Sequence, residues 1–224
     1  MGFLSEAQAI LPWITEHRRW LHRHPEHGAK EFQTAEYLCG VLQELGLELR
    51  RLTGTAIVAD LVGGKPGHII ALRADMDALP VTEATGLPFA SEHPGMMHAC
   101  GHDMHMAGAL GAAKLLKERE YEIEGTVKLM FQPAEETFEG SANMIANGIL
   151  DNPKVDAALG YHVASGKMPC GIFMYNNAST MMFSSDGFRI HVKGKGSHGA
   201  YPQNSCGTGI ISLRVRYLPS QSSS

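Results

Sequence analysis

Between residues 55 and 163, short apolar or β-branched runs alternate with stretches of helical periodicity, and that alternation predicts an α/β fold. Strands are expected over 55–61, 68–72, 125–131 and 157–163. The first two are separated only by the turn sequence GGKPG and read as neighbours. Helices are expected over 7–22, 30–45, 102–117 and 141–147. Pro12 is tolerable only near the start of the first, which Pro25 and Gly28 close, and Gly46 caps the second. Ala and Gly positions in 102–117 suit close packing on a sheet. Helices and strands in this order give a layered sandwich around a largely parallel sheet.

The composition, 44% hydrophobic and 19% charged over 224 residues, supports one substantial core and at most part of a second. A net charge of −4 with no basic run argues against a nucleic-acid partner. No stretch approaches the roughly 20 apolar residues of a membrane span, and the N-terminus lacks an apolar signal core, so a soluble cytoplasmic protein with no membrane partner is expected. The cysteines, Cys39, Cys100, Cys170 and Cys206, fit no small disulfide framework, and plain burial is expected of Cys39 and Cys170. Composition changes near Ser184. Residues 1–183 are expected to form the main domain and 184–204 to begin a second. Residues 205–224 are expected to be an atypical tail, with a disordered SQSSS end.

Chemistry-bearing residues cluster near the expected strand ends, where open α/β sheets build their sites. Cys100 and His102 are two apart and cannot share a helical face, so they must leave a turn at Gly101. As thiolate and imidazole they can hold a divalent ion; as a helix entry they can simply cap. Glu135 and Glu136 follow an apolar strand and Pro133. One can ligate while its neighbour faces water, and two such charges together favour a compensating cation. A solvated acidic turn is the plainer reading. His162 closes an apolar run as a ligand or a core histidine. Asp75 and Asp77 share a strand face and can orient imidazoles, or can form a turn before Pro80. His198 lies among glycines, while His17, His22, His68 and His93 are expected at the surface.

In order, DMDALP, ACGHDMH, PAEE and a strand-terminal His resemble the M20 metallopeptidase family. The resemblance is nearest to its amidohydrolase branch of hippurate, N-acyl-amino-acid and auxin-conjugate hydrolases. It runs from about residue 6 to residue 204, with HRHPE and GKGSHGAYP also typical of the branch. It implies a three-layer, zinc-peptidase-like catalytic domain, with an α+β lid or dimerisation domain beginning at 184. It implies two divalent ions, Mn or Zn with Ni or Co also suitable, on residues matching Cys100, His102, Glu136 and His162, plus a further His. Glu135 matches the general base that takes a proton from the attacking water and hands it to the leaving amine. Asp77 matches the supporting Asp of the family's HxDxxP motif, whose His position is Asp75 here. His198 matches the His that, in dimers, reaches the partner's site and polarises the scissile carbonyl. The implied substrate is a hippurate-like N-acyl amino acid or related small amide, and full-length relatives would be homodimers or homotetramers.

After Asn204 the sequence departs from the family pattern, so a truncated or frame-shifted product lacking the last ligand is expected. The alternative to an active amidohydrolase is then an inactive remnant with an incomplete metal site. A third reading makes Cys100 a nucleophile with His102 or His105 as base, and leaves the Glu135–Glu136 pair unexplained.

Overall fold

The computed structural model describes residues 2–164, 169–175, 198, 200 and 201. The chain divides into two compact units, Met1–Met168 and Pro169–Ser224. Most of residues 184–204, expected to begin the second domain, and the whole 205–224 tail lie outside the described residues, as does Cys206.

The first unit opens with three helices, α1 (Phe3–Ala9), α2 (Leu11–Arg23) and α3 (Phe32–Glu44). Pro12 sits in the first turn of α2, where its missing N–H leaves no bond unmade, so the expected 7–22 helix is broken at Ile10. Strands β1 (Glu48–Arg51), β2 (Ile57–Val62) and β3 (Lys65–Asp75) follow, then α4 (His102–Lys117), β4 (Glu124–Gln132), α5 (Gly140–Ala146) and β5 (Ala157–Gly160). The described strands form one sheet in the order β1-β2-β4-β3-β5. The site-bearing half, β4-β3-β5, is parallel, while β1-β2 and β2-β4 are antiparallel.

Two strand expectations change. The weakly apolar ELRR of β1 carried no strand signal and is drawn in by pairing with β2. Strands β2 and β3 are not neighbours, because β4 lies between them. The intervening GGKPG cannot close a hairpin: the N–H groups of Gly63, Gly64 and Lys65 donate to the carbonyls of Gly125, Glu120 and Ile123, at 2.8, 2.9 and 3.3 Å.

Alternation along the strands builds two cores. Ile57, Ala59, Leu61, Leu129 and Phe131 pack with Leu21 of α2, Leu38 and Leu42 of α3, and Met106 and Leu110 of α4. On the opposite face Val58, Ala71 and Met130 pack with Met144 of α5 and Ile149. Helices therefore cover both faces, giving the three layers. Lys128, fully buried on β4, donates to the carbonyls of Ile149 at 2.9 Å and Pro153 at 2.7 Å, fixing the link from α5 to β5. No helix among the described residues is long and apolar enough to cross a membrane.

His68 is exposed as expected, but His22 is buried, and His17 and His93 are half-buried on Tyr37 and the Pro25 carbonyl. His22 bridges Asp103 Oδ2 at 2.7 Å and Glu83 Oε1 at 3.2 Å, and Arg18 Nε also reaches Asp103, at 2.8 Å. This bridge ties the irregular segment after β3 to α2 and α4. The Asp103 hydrogen bond, ahead of the opposing effect of burial, raises the pKa of His22 above its ordinary value. Burial pushes Asp103 up, but the His22 bond and the Arg18 charge outweigh it and hold the carboxyl low. A raised histidine stabilises fully below its unfolded pKa of about 6.5 and loses that contribution as pH rises through the folded value. The depressed carboxyls lose theirs only as pH falls below about 4. The difference in urea midpoint between the metal-free protein and His22→Leu should therefore be constant from about pH 5 to 6.5 and shrink above. A difference that stays constant above about pH 6.5 would show that His22 does not carry this pH-dependent stability.

Candidate metal centre

The centre forms where β3 and β4 run out. Beyond Asp75 the chain continues extended, with Met76 N–H donating to Gln132 O at 2.9 Å and Ala78 N–H to Glu26 O at 2.8 Å, and this carries Asp77 inward. Beyond Gln132, Pro133 ends the ladder and Ala134 turns at φ 52°, presenting Glu135 and Glu136. Opposite, Gly101 precedes α4 at φ 90°, and a Cβ there would stand 2.5 Å from Val163 Cγ2. Both the turn from Cys100 to His102 and the approach of the His162 segment require that glycine.

His102, fully buried, donates from Nδ1 to the Asp77 carbonyl at 2.8 Å, which leaves its Nε2 lone pair free. That nitrogen lies 3.8 Å from both Glu135 Oε2 and Glu136 Oε1. Asp77 Oδ2 accepts the Glu136 N–H at 3.0 Å. Cys100 Sγ lies 3.4 Å from His162 Nε2. Among the described residues three donor groups have their ligand atoms within 4.8 Å of one another: Cys100–His102–His162, His102–Glu135–Glu136 and Asp75–His102–His105. His102 belongs to all three. Its Nε2, Glu136 Oε1 and Asp77 Oδ1 are buried without a hydrogen-bond partner. Such orphaned acceptors are costly in a folded interior, and a cation among them removes that cost. The residues therefore fit a metal ion.

The electrostatics agree. Burial, then the Glu136 hydrogen bond and the charges of Glu136, Glu135 and Asp75, push the Cys100 thiol up to about 12. The thiolate needs a cation to form, which makes Cys100 a poor free nucleophile and argues against the thiol-hydrolase reading. Burial and the Asp75 and Glu136 charges raise Glu135 above the usual carboxylate range. Burial opposes protonation of His102, but its bond to Asp77 and the Asp75 and Asp77 charges outweigh it and make the imidazole more basic.

The sequence-picked Cys100, His102, Glu135, Glu136, His162 and Asp77 thus converge, although His162 lies two residues beyond the end of β5. His198 belongs to the second unit, where it is exposed and its Nδ1 accepts the Ala200 N–H at 3.3 Å. Of the other cysteines, Cys39 is half-buried against the core, whereas Cys170 is exposed, contrary to expectation, in a stretch where its neighbours are exposed too. One supporting residue went unread, and another, His105, was read only as a candidate base for Cys100. Glu31, fully buried, accepts Ala134 N–H at 2.8 Å, Ala29 N–H at 2.9 Å and the Thr55 hydroxyl at 2.6 Å, and so pins the turn that carries both acids. Its partner at Ala134 is 103 residues away, so no local pattern marks it. His105 was legible only as part of CGHDMH.

A family profile described as Peptidase family M20/M25/M40 matches residues 71–205. An N-acetyl-L-cysteine deacetylase of Bacillus subtilis is 44% identical over 84% of this chain and 44% of its own length. An N-acyl-L-amino acid amidohydrolase of Geobacillus stearothermophilus is 43% identical over 92% of this chain and 54% of its own. The chain spans about half the length of the curated relatives it matches. The crystal structure of Bacillus subtilis YXEP, described as a dinuclear metal-binding peptidase from the M20 family, superposes with a TM-score of 0.67. It is 41% identical and covers 69% of this chain and 44% of its own. With more than half its length matched by that profile and its α/β frame by the solved relative, this chain belongs to peptidase family M20/M25/M40.

Proposed function

We propose that the protein is a metal-dependent amidohydrolase that cleaves the amide bond of N-acyl amino acids, hippurate-like ones included, with Glu135 as general base. One observation carries the reading: a second carboxylate, Glu135, faces the unpartnered His102 Nε2 beside the ligand-type donors. The deacetylase and amidohydrolase relatives support the substrate class.

Cys100, His102, Glu136 and His162 would hold the ions, and Asp77 would orient His102 and the Glu136 backbone. Bound divalent metal supplies Lewis acidity, which would bring the pKa of a water down toward about 7. Glu135, about a third exposed, can accept a proton from the attacking water. The same carboxyl, once protonated, can return that proton to the departing nitrogen. His198, in the second unit, is proposed to donate to the carbonyl oxygen of a substrate bound by a partner chain. The lid reading of 184–204 belongs to the same proposal.

The purified chain should bind two Mn²⁺ or Zn²⁺ ions and release amino acid from N-acetyl and N-benzoyl substrates. Chelation should abolish turnover, and added metal should restore it. One ion or none, with no turnover at saturating metal, would support the inactive-remnant reading.

A further inference from the structure

The cluster of Asp75, His102 and His105 resembles a separate ion site by proximity, yet both nitrogens of His105 are already committed. His105 is fully buried. Its Nε2 accepts the Val163 N–H at 3.1 Å, so the ring proton resides on Nδ1, which donates to Asp75 Oδ2 at 3.2 Å. Arg73 in turn pairs with Asp75 Oδ1. Neither His105 nitrogen retains a lone pair for a cation.

What the pair does hold is the segment around His162. Strand β5 ends at Gly160, so residues 161–163 have no ladder to fix them. The Tyr161 hydroxyl donates to the His105 carbonyl at 2.6 Å, and Val163 is bonded to the His105 ring. That ring also stands edge-on to the His162 ring, with centroids 4.6 Å apart at 82°. His162 is itself exposed, and its Nδ1 donates to the Val163 carbonyl at 2.7 Å. The peptide gripped by His105 is thus adjacent to the carbonyl that sets the tautomer of His162 and turns its Nε2 toward Cys100.

We propose that His105, oriented by Asp75, is a positioning residue that sets His162 Nε2 against Cys100 Sγ and so governs metal affinity on the thiolate side of the centre. The proposal rests on the metal-dependent reading above. Partners that orient a ligating imidazole typically change metal affinity by about 10–100-fold when removed.

The test is cobalt(II) titration of the full chain, followed by the thiolate-to-cobalt charge-transfer band, which reports only the ion bonded to Cys100. His105→Leu should weaken the affinity read from that band by about 10–100-fold. His105→Gln, whose amide can accept from Val163 and donate to Asp75, should recover most of it. Histidine ¹⁵N spectra of the unaltered, metal-free protein should show His105 protonated on Nδ1, a readout independent of whether the Leu variant folds. A proton on Nε2, or an unchanged band affinity in a folded Leu variant, would overturn the positioning role alone. No charge-transfer band in the unaltered protein would overturn both the role and the metal-dependent reading.

Discussion

Glu135→Gln should lower kcat by about 10²–10⁴-fold, the range for losing a general acid–base group, while both metal ions stay bound. The change removes a proton acceptor and keeps the shape. Each tenfold loss corresponds to about 1.4 kcal/mol of barrier, so about 3–5 kcal/mol is asked of one group. A single positioned general acid–base group can supply that. A base acting in the chemical step should show its effect in kcat more than in KM. The substitution should also leave the fold intact. Glu135 is held in place by its backbone, whose carbonyl accepts the Phe138 N–H at 3.0 Å. Its charged form is disfavoured in the metal-free protein, so a neutral amide should raise the metal-free melting temperature slightly. Glu136→Gln should instead weaken metal uptake, because the buried Oε1 without a partner is the atom offered to an ion. Turnover in Glu135→Gln within a few-fold of the unaltered protein would remove Glu135 as the base. Loss of an ion in that variant would make it a ligand instead.

The contrast between the two adjacent acids shows what the sequence could convey. Adjacent residues on a strand point apart, but the turn at Ala134 brings both carboxylates to 3.8 Å from His102 Nε2, so the acidic pair was legible in the sequence and its convergence was not. Cys100 and His102 were legible because a two-residue spacing demands a turn, and Gly101 supplies one. The strands that carry the site were also legible, because β2, β4 and the apolar end of β3 are runs that must be buried. Sheet order was not. Whether β3 pairs with β2 or with β4 is decided by backbone bonds between residues 63–65 and 120–125, which no local pattern encodes. Glu31, His22 and His105 share a different difficulty. A charged or polar residue next to a helix looks solvated until its partner is known. The partners, Ala134, Asp103 and Val163, lie 103, 81 and 58 residues away. The supports of the centre were hidden because they act only through the finished fold.

Among the described glycines, the closest backbone clash of an added methyl group is expected in Gly140→Ala, which should be severely destabilising. Gly140 opens α5, immediately after the turn that presents Glu135 and Glu136. The turn folds back so tightly that Glu139 and Gly140 both donate to the Ala134 carbonyl, at 3.3 and 3.1 Å. A Cβ at 140 would stand 1.6 Å from the Pro133 carbonyl oxygen and 2.8 Å from its carbon. Those are main-chain atoms, so no rotamer change relieves the collision. Pro133 cannot retreat freely, because Gln132 before it is in the β4 ladder and Ala134 after it is bonded to Glu31. Either α5 lifts away, uncovering Met144 and the smaller core, or the turn shifts and takes both acids with it. Overpacking a rigid site costs typically 1–3 kcal/mol and occasionally more; with backbone on both sides of the clash, about 3 kcal/mol or more is expected. Urea unfolding of the metal-free protein measures the first outcome, and metal affinity in the fraction that folds measures the second. A variant that unfolds within about 0.5 kcal/mol of the unaltered protein, the range of an inconsequential surface change, and binds metal equally well would show that the turn has slack. The coupling argued here between Gly140 and the two acids would then be wrong.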